Sequence, residues 1–203
     1  MKLEASDSRR VPSRDGRSET RERASRFFGF AFRARSEESA RARILELETE
    51  FHDATHVCFA WRIGPSRRAA DAGEPAGTAG KPILSAIEAA GLDEAAVAVV
   101  RWFGGTKLGT AGLVRCYRDT ARRALAEAGA EEVFDTIELV VDAPYEKVAA
   151  VKRLVDPPSV TLVAESFSDR ARFRLRVRLG RREEIERALR EERIGFRTED
   201  AGR

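Results

Sequence analysis

The chain has 203 residues, 42% of them hydrophobic and 7% aromatic, with 37 Lys and Arg against 34 Asp and Glu. That composition supports a buried core and excludes wholesale disorder, and the length fits one large or two modest domains. The formal charge of +3 divides into +3 over residues 1–26, −1 over 27–132 and +1 over 133–203, so bulk charge does not mark a nucleic-acid binder and any basic surface must come from local patterning.

Residues 1–24 have almost no large apolar side chain and mix Ser, Arg and Glu; they are expected to be a disordered tail. No apolar run reaches the roughly 18–20 residues that cross a bilayer, and the N-terminus lacks the apolar stretch of a secretory signal. Cys58 and Cys116 stand among apolar or aromatic neighbours and read as reduced, buried thiols of a cytoplasmic protein.

Order is expected from Ser25, where the aromatic-rich run to Phe32 suits a strand. Ser36 followed by Glu37 and Glu38 is a helix start, and Ala40, Ile44, Leu47 and Phe51 recur at helical spacing over 37–51. Residues 57–63 read as a strand ended by Gly64-Pro65, 66–81 as a Gly-rich loop, and 82–90 as a helix opened by Pro82 and closed by Gly91. Residues 95–103 (AAVAVVRWF) read as a strand buried on both faces. A second Gly-rich loop, 104–112, leads into a helix over 113–128.

A new pattern begins at 130–135. Strand 136–142, helix 144–154, strand 160–167, strand 170–179, helix 181–192 and a last strand at 194–198 make a ferredoxin-like arrangement. The expected organisation is therefore an α+β protein with a tail (1–24), a first domain (25–131) and a ferredoxin-like second domain (133–203).

Chemistry concentrates in the two glycine loops. The first runs from Asp71 through Gly73, Glu74, Gly77, Thr78 and Gly80 to Lys81; the second from Arg101 through Gly104, Gly105, Lys107, Gly109 and Gly112 to Arg115. Backbone N–H groups at a helix start, with glycines that allow close approach and a lysine nearby, suit an anion or phosphate. The same glycines also serve tight turns without any ligand. Pro75 and Pro82 break a Walker A pattern, and no G-x-G-x-x-G follows a strand.

These loops, with His52–Gly64 (HDATHVCFAWRIG) and Ser25-Arg26-Phe27, resemble the motifs of the Impact/YigZ family in their expected order across residues 25–120. Ala70, Ala72 and Ala111 depart from the residues usual there; losing the second Asp at Ala72 weakens any acid–base or metal role. The resemblance implies a first domain folded like domain IV of elongation factor G and a second like its domain V. It also implies a role in translation, through RNA, the ribosome or a translation factor.

A further basic feature is Ala171–Leu179, where strict alternation puts Phe173, Leu175, Val177 and Leu179 on one face and Arg172, Arg174, Arg176 and Arg178 on the other. Those arginines either meet a phosphate backbone or pair with acids such as Glu138, Asp142 and Glu165. Arg115, Arg118 and Arg122 share a face of helix 113–128 and extend the basic surface.

Catalytic readings are thinner. His52, His56 and Cys58 lack the second cluster that a zinc site requires, and neither a metal nor another cofactor is expected. Asp71, Glu74 and His56 compose the one conceivable acid–base set, for a peptidase-like hydrolase. The favoured expectation is a non-catalytic, translation-linked binder using Gly77, Thr78, Gly80, Lys81, Arg101, Gly104, Gly105, Lys107, Gly109, Gly112, Arg115 and the arginines from Arg172 to Arg178, with no membrane partner.

Overall fold

The computed structural model describes residues 8–199. They separate into two compact units, one of Arg9–Glu132 and one of Ser8 together with the residues from Val133 on, and the fold class is α+β.

The first unit contains β1 (Ser8–Val11) from Arg9 on, β2 (Gly16–Glu22), β3 (Ser25–Arg33), α1 (Glu37–Glu50), β4 (His56–Ile63), β5 (Ser66–Ala70), α2 (Gly80–Ala89), β6 (Ala95–Trp102) and α3 (Gly109–Ala128). Five of the strands form an antiparallel sheet in the order β2-β3-β6-β4-β5. Because successive side chains on a strand face opposite ways, β6 serves two cores. Val97 and Val99 point to α2 and α3 beside Ile83, Ile87, Tyr117 and Leu125. Ala96, Ala98 and Val100 point to α1 beside Ile44 and Leu47. That double burial is why its sequence is an apolar run rather than an alternation.

Helix α1 begins as its sequence indicates. The Ser36 hydroxyl accepts the Ser39 N–H (3.2 Å), and the Ser39 hydroxyl accepts the Ser36 N–H (3.1 Å), a reciprocal capping box. Helix α3 starts at Gly109, four residues ahead of the expected position, and takes up the end of the second glycine loop.

Two expectations fail. Residues 8–22 are not a tail but two strands; the expected tail's first seven residues lie outside the described residues. β2 pairs with β3 from Gly16↔Ala31 to Glu22↔Ser25, Val11 is fully buried, and Arg9 Nη2 meets Glu94 at 2.7 Å. The docking of β2 is hydroxyl-based rather than apolar. Ser18 Oγ donates to the Thr120 carbonyl (2.8 Å), and the Thr20 and Thr120 hydroxyls lie 2.5 Å apart. Gly16 lies so close to α3 that a Cβ there would fall 2.2 Å from the Ala124 carbonyl oxygen. Composition misses such a strand because its contacts are backbone and hydroxyl hydrogen bonds rather than apolar area. The second failure is the start of the first glycine loop: Ser66–Ala70 is an edge strand paired with β4, its exposed arginines disguising it.

The second unit contains β8 (Thr136–Ala143), a 3-10 turn (Tyr145–Lys147) running into α4 (Val148–Arg153), β9 (Val160–Phe167), β10 (Ala171–Arg178), α5 (Arg182–Glu191) and β11 (Gly195–Glu199). Strand β7 (Glu131–Phe134) spans the division between the units. The sheet order β11-β8-β10-β9 is the ferredoxin-like one, with Leu139, Val141, Phe173, Leu175 and Val177 packed against Val151, Ile185 and Leu189.

Candidate functional site

The first glycine loop folds onto one carboxylate. Asp71 Oδ2 accepts the Gly77 N–H (2.8 Å), and Oδ1 accepts those of Ala79 (3.0 Å) and Gly80 (2.9 Å). Burial raises the Asp71 pKa, but these three donors and the Lys81 charge outweigh it and hold the carboxyl below its ordinary value. Thr78 is buried, and its hydroxyl donates to the Pro75 carbonyl at 2.7 Å. The expectation that Gly77, Thr78 and Gly80 cradle an outside anion is thereby corrected, since the chain's own aspartate fills the start of α2. Lys81 is exposed beside it.

Glu74, from the same loop, turns into the core. Its Oε1 accepts from Arg101 Nη1 and from the Tyr117 hydroxyl (2.7 Å). Arg101 Nη2 donates to Ser25 Oγ (3.3 Å), the guanidinium lies 5.3 Å from the Phe27 ring centroid, and Nε has no partner among the described residues. His56 Nδ1 lies 2.9 Å from the Ala72 carbonyl; since a carbonyl only accepts, Nδ1 carries the proton and Nε2 faces Glu74 Oε1 at 4.0 Å. Cys58 Sγ donates to the Asp71 carbonyl (2.9 Å), and burial pushes its thiol up to about 12. Burial likewise raises the Tyr117 hydroxyl above its ordinary pKa. Cys58 and Cys116 are both free and buried.

Asp71, Glu74 and His56 are therefore neighbours, but not as a hydrolase needs them. The Asp71 carboxylate is held by three amides, and Glu74 is neutralised by Arg101, so neither is a free base. Sequence reasoning did not find Ser25 or Tyr117 as members of this cluster. Tyr117 sits four residues before Ala121 on the buried face of α3, where an aromatic residue reads as plain core.

The second glycine loop is built differently. Gly104 donates its N–H to Ser25 Oγ (3.2 Å), tying the loop's start to β3. Beyond it Gly105 and Gly109 take φ of +81° and +71°, and a Cβ at either would meet nothing within 4 Å. Among the described residues no side chain is hydrogen-bonded to the start of α3, and Gly105, Thr106, Lys107, Gly109, Thr110 and Ala111 are exposed. The first N–H groups of a helix lack partners within it, and here they belong to the exposed residues Gly109, Thr110 and Ala111, just after Lys107 in the chain. Arg101 lies beneath, buried; Arg115 pairs with Glu22 at 3.1 Å; Gly112 is half-buried.

On the second unit the four arginines of β10 have partners. Arg172 meets Asp142 (3.2 Å) and Arg176 meets Glu138 (3.0 Å), each directly across the ladder on β8. Arg174 lies 3.7 Å from both Glu138 and Glu199, and Arg178 stacks 3.3 Å from the Phe134 ring centroid. Glu165, the third acid expected, pairs instead with Lys152 (3.0 Å). Among the described residues no helix is long and apolar enough to cross a membrane.

The model of the Impact N-terminal domain matches residues 23–125. A protein of Thermus thermophilus described as an IMPACT family member is 43% identical over 75% of this chain and 84% of its own length. The Escherichia coli IMPACT family member YigZ is 33% identical over 64% and 67%. A crystal structure described as that of a hypothetical protein superposes with a TM-score of 0.68 at 25% identity, covering 96% of this chain and 98% of the other.

Proposed function

This chain belongs to the Impact family, and from that premise we propose that it is a non-catalytic, translation-linked protein whose second glycine loop binds the phosphates of RNA or of the ribosome surface. The family resemblance supports the translational setting, and the cytoplasm is the place that setting implies. The observation that carries the phosphate reading is the contrast between the two loops. The start of α2 is closed by Asp71, whereas the start of the 20-residue α3 is exposed and uncapped, with Lys107 beside it. Partial positive charge and free donors at a helix start favour an anion. A translation factor is the other partner the resemblance implies; its acidic side chains would use the same donors.

A titration of fluorescein-labelled single-stranded RNA at two salt concentrations tests the reading. Affinity should fall with salt at a slope of about −0.7 per phosphate contact, and Lys107→Glu should weaken binding roughly tenfold and flatten the slope by about one to two units. RNA binding that Lys107→Glu leaves unchanged, or no RNA binding at low salt, removes the reading.

A further inference from the structure

A groove of about 480 Å³ runs between α2 and α3. Its floor is aliphatic, formed by Ala86, Leu92 and Leu125, and three arginines, Arg10, Arg118 and Arg122, stand around it. Among the described residues no acidic side chain lines it. Arg10 Nη1 reaches the Ala90 carbonyl at 3.4 Å, which holds that guanidinium over the groove. Arg118 and Arg122 are exposed and make no ion pair among the described residues. They lie four apart on one helix, a spacing at which like charges repel.

This uncompensated charge sets the groove apart from the arginines of β10 and from Arg115. Arg172, Arg174 and Arg176 each face an acid, and Arg115 faces Glu22. An apolar floor under three cations, with no counter-charge among the described residues that line the groove, is complementary to a ligand that brings both an apolar stripe and carboxylates. The small side chains of Ser85, Ala89 and Ala126 on the flanking helices leave room for a third helix to lie between them. Nucleic acid fits less well, because single strands bind on aromatic rings that stack their bases, and no aromatic residue lines the groove.

We propose that the α2–α3 groove docks an acidic amphipathic helix of a partner protein, its Leu and Ala face on Leu92 and Leu125 and its carboxylates paired with Arg10, Arg118 and Arg122. This surface is separate from the loop at the start of α3 and stands whether or not that loop binds RNA.

The test titrates the isotope-labelled full chain with three probes and follows its amide resonances. The probes are a helical peptide of about five turns with a Leu/Ala stripe flanked by Glu, the same peptide with Lys for Glu, and oligouridylate RNA. The Glu peptide should shift the amides of Ser85, Ala89 and Ala126 at micromolar concentration, and the Lys peptide should not. The double variant Arg118→Glu/Arg122→Glu should weaken the Glu peptide at least tenfold, and Ala126→Trp, which fills the groove without changing charge, should do the same. Both variants alter exposed positions, and unchanged melting temperatures will show that they fold. A Glu peptide that leaves those amides unmoved at millimolar concentration overturns the proposal. So does Glu-peptide binding by both variants that is as tight as that of the unmodified protein, or RNA that shifts the groove amides in place of the peptide. RNA binding at Lys107 that persists in the double variant separates this outcome from that of the phosphate reading.

Discussion

The Glu74 carboxylate and the Arg101 guanidinium face each other with side chains only 3% and 5% exposed, joining the first glycine loop to β6. Desolvating two charges is costly, so the pair anchors the loop only while both partners are present. Glu74→Ala leaves Arg101 buried and charged without a counter-ion, and should cost about 3–5 kcal/mol in urea denaturation. Replacing both, Glu74→Ala with Arg101→Met, should recover a large part of that loss. Two independent, additive losses would mean that the pair does not hold the loop.

Asp71 offers a test in pH. Its folded pKa is depressed, so its stabilisation is present above the ordinary aspartate value of about 3.9 and is lost as pH falls through the lower folded value. Asp71→Asn should cost about 1–2 kcal/mol at neutral pH, as expected for a lost helix cap, and should show a shallower decline in stability below about pH 4. Asp71→Ala should also free the Gly77, Ala79 and Gly80 amides, so that phosphate raises its melting temperature more than that of the unmodified protein. Equal shifts would show that something else occupies the start of α2.

Much of this architecture is legible from local physics. The Ser36 cap, the doubly buried β6 and the two-residue alternation of β10 all mark themselves, because each is set by burial or backbone preference within a short window. What is not legible depends on partners distant in sequence. β2 carries no apolar signal because Ser18 and Thr20 bond to Thr120, a hundred residues away. The glycine loops look alike as sequences, yet one is closed by Asp71 and the other left open, and spacing alone does not separate the two outcomes. The arginines of β10 read equally as a phosphate surface or as ladder partners until the register places Asp142 and Glu138 opposite Arg172 and Arg176.

The strand status of β2 leads to a truncation test. Removing residues 1–24 deletes β2 from the sheet edge, uncovers β3 and removes the buried Val11. Fully burying one valine is worth about 1.5–3 kcal/mol, and about 1 kcal/mol moves the melting temperature of a domain this size by about 2–4 °C. The shortened chain should therefore melt well over 5 °C lower, measured by circular dichroism. An unchanged melting temperature would mean that the segment does not hold the sheet.

The arginines of β10 offer a test of where RNA would be gripped. Arg174 and Arg176 are half exposed, yet Arg176 is 3.0 Å and Arg174 3.7 Å from Glu138, so part of their charge is already answered within the ladder. Arg174→Gln/Arg176→Gln keeps polar side chains on the strand and removes both cations. Exposed ion pairs contribute about 0–1 kcal/mol each, so stability should fall only slightly. If the phosphate contacts lie at the start of α3, RNA affinity and its salt slope should stay as they are, while Lys107→Glu changes both. A double variant whose slope flattens by about one to two units would instead place the backbone on this face, with Glu138 giving up its arginines when RNA arrives. Gel-shift titrations of the three proteins at two salt concentrations separate the two outcomes.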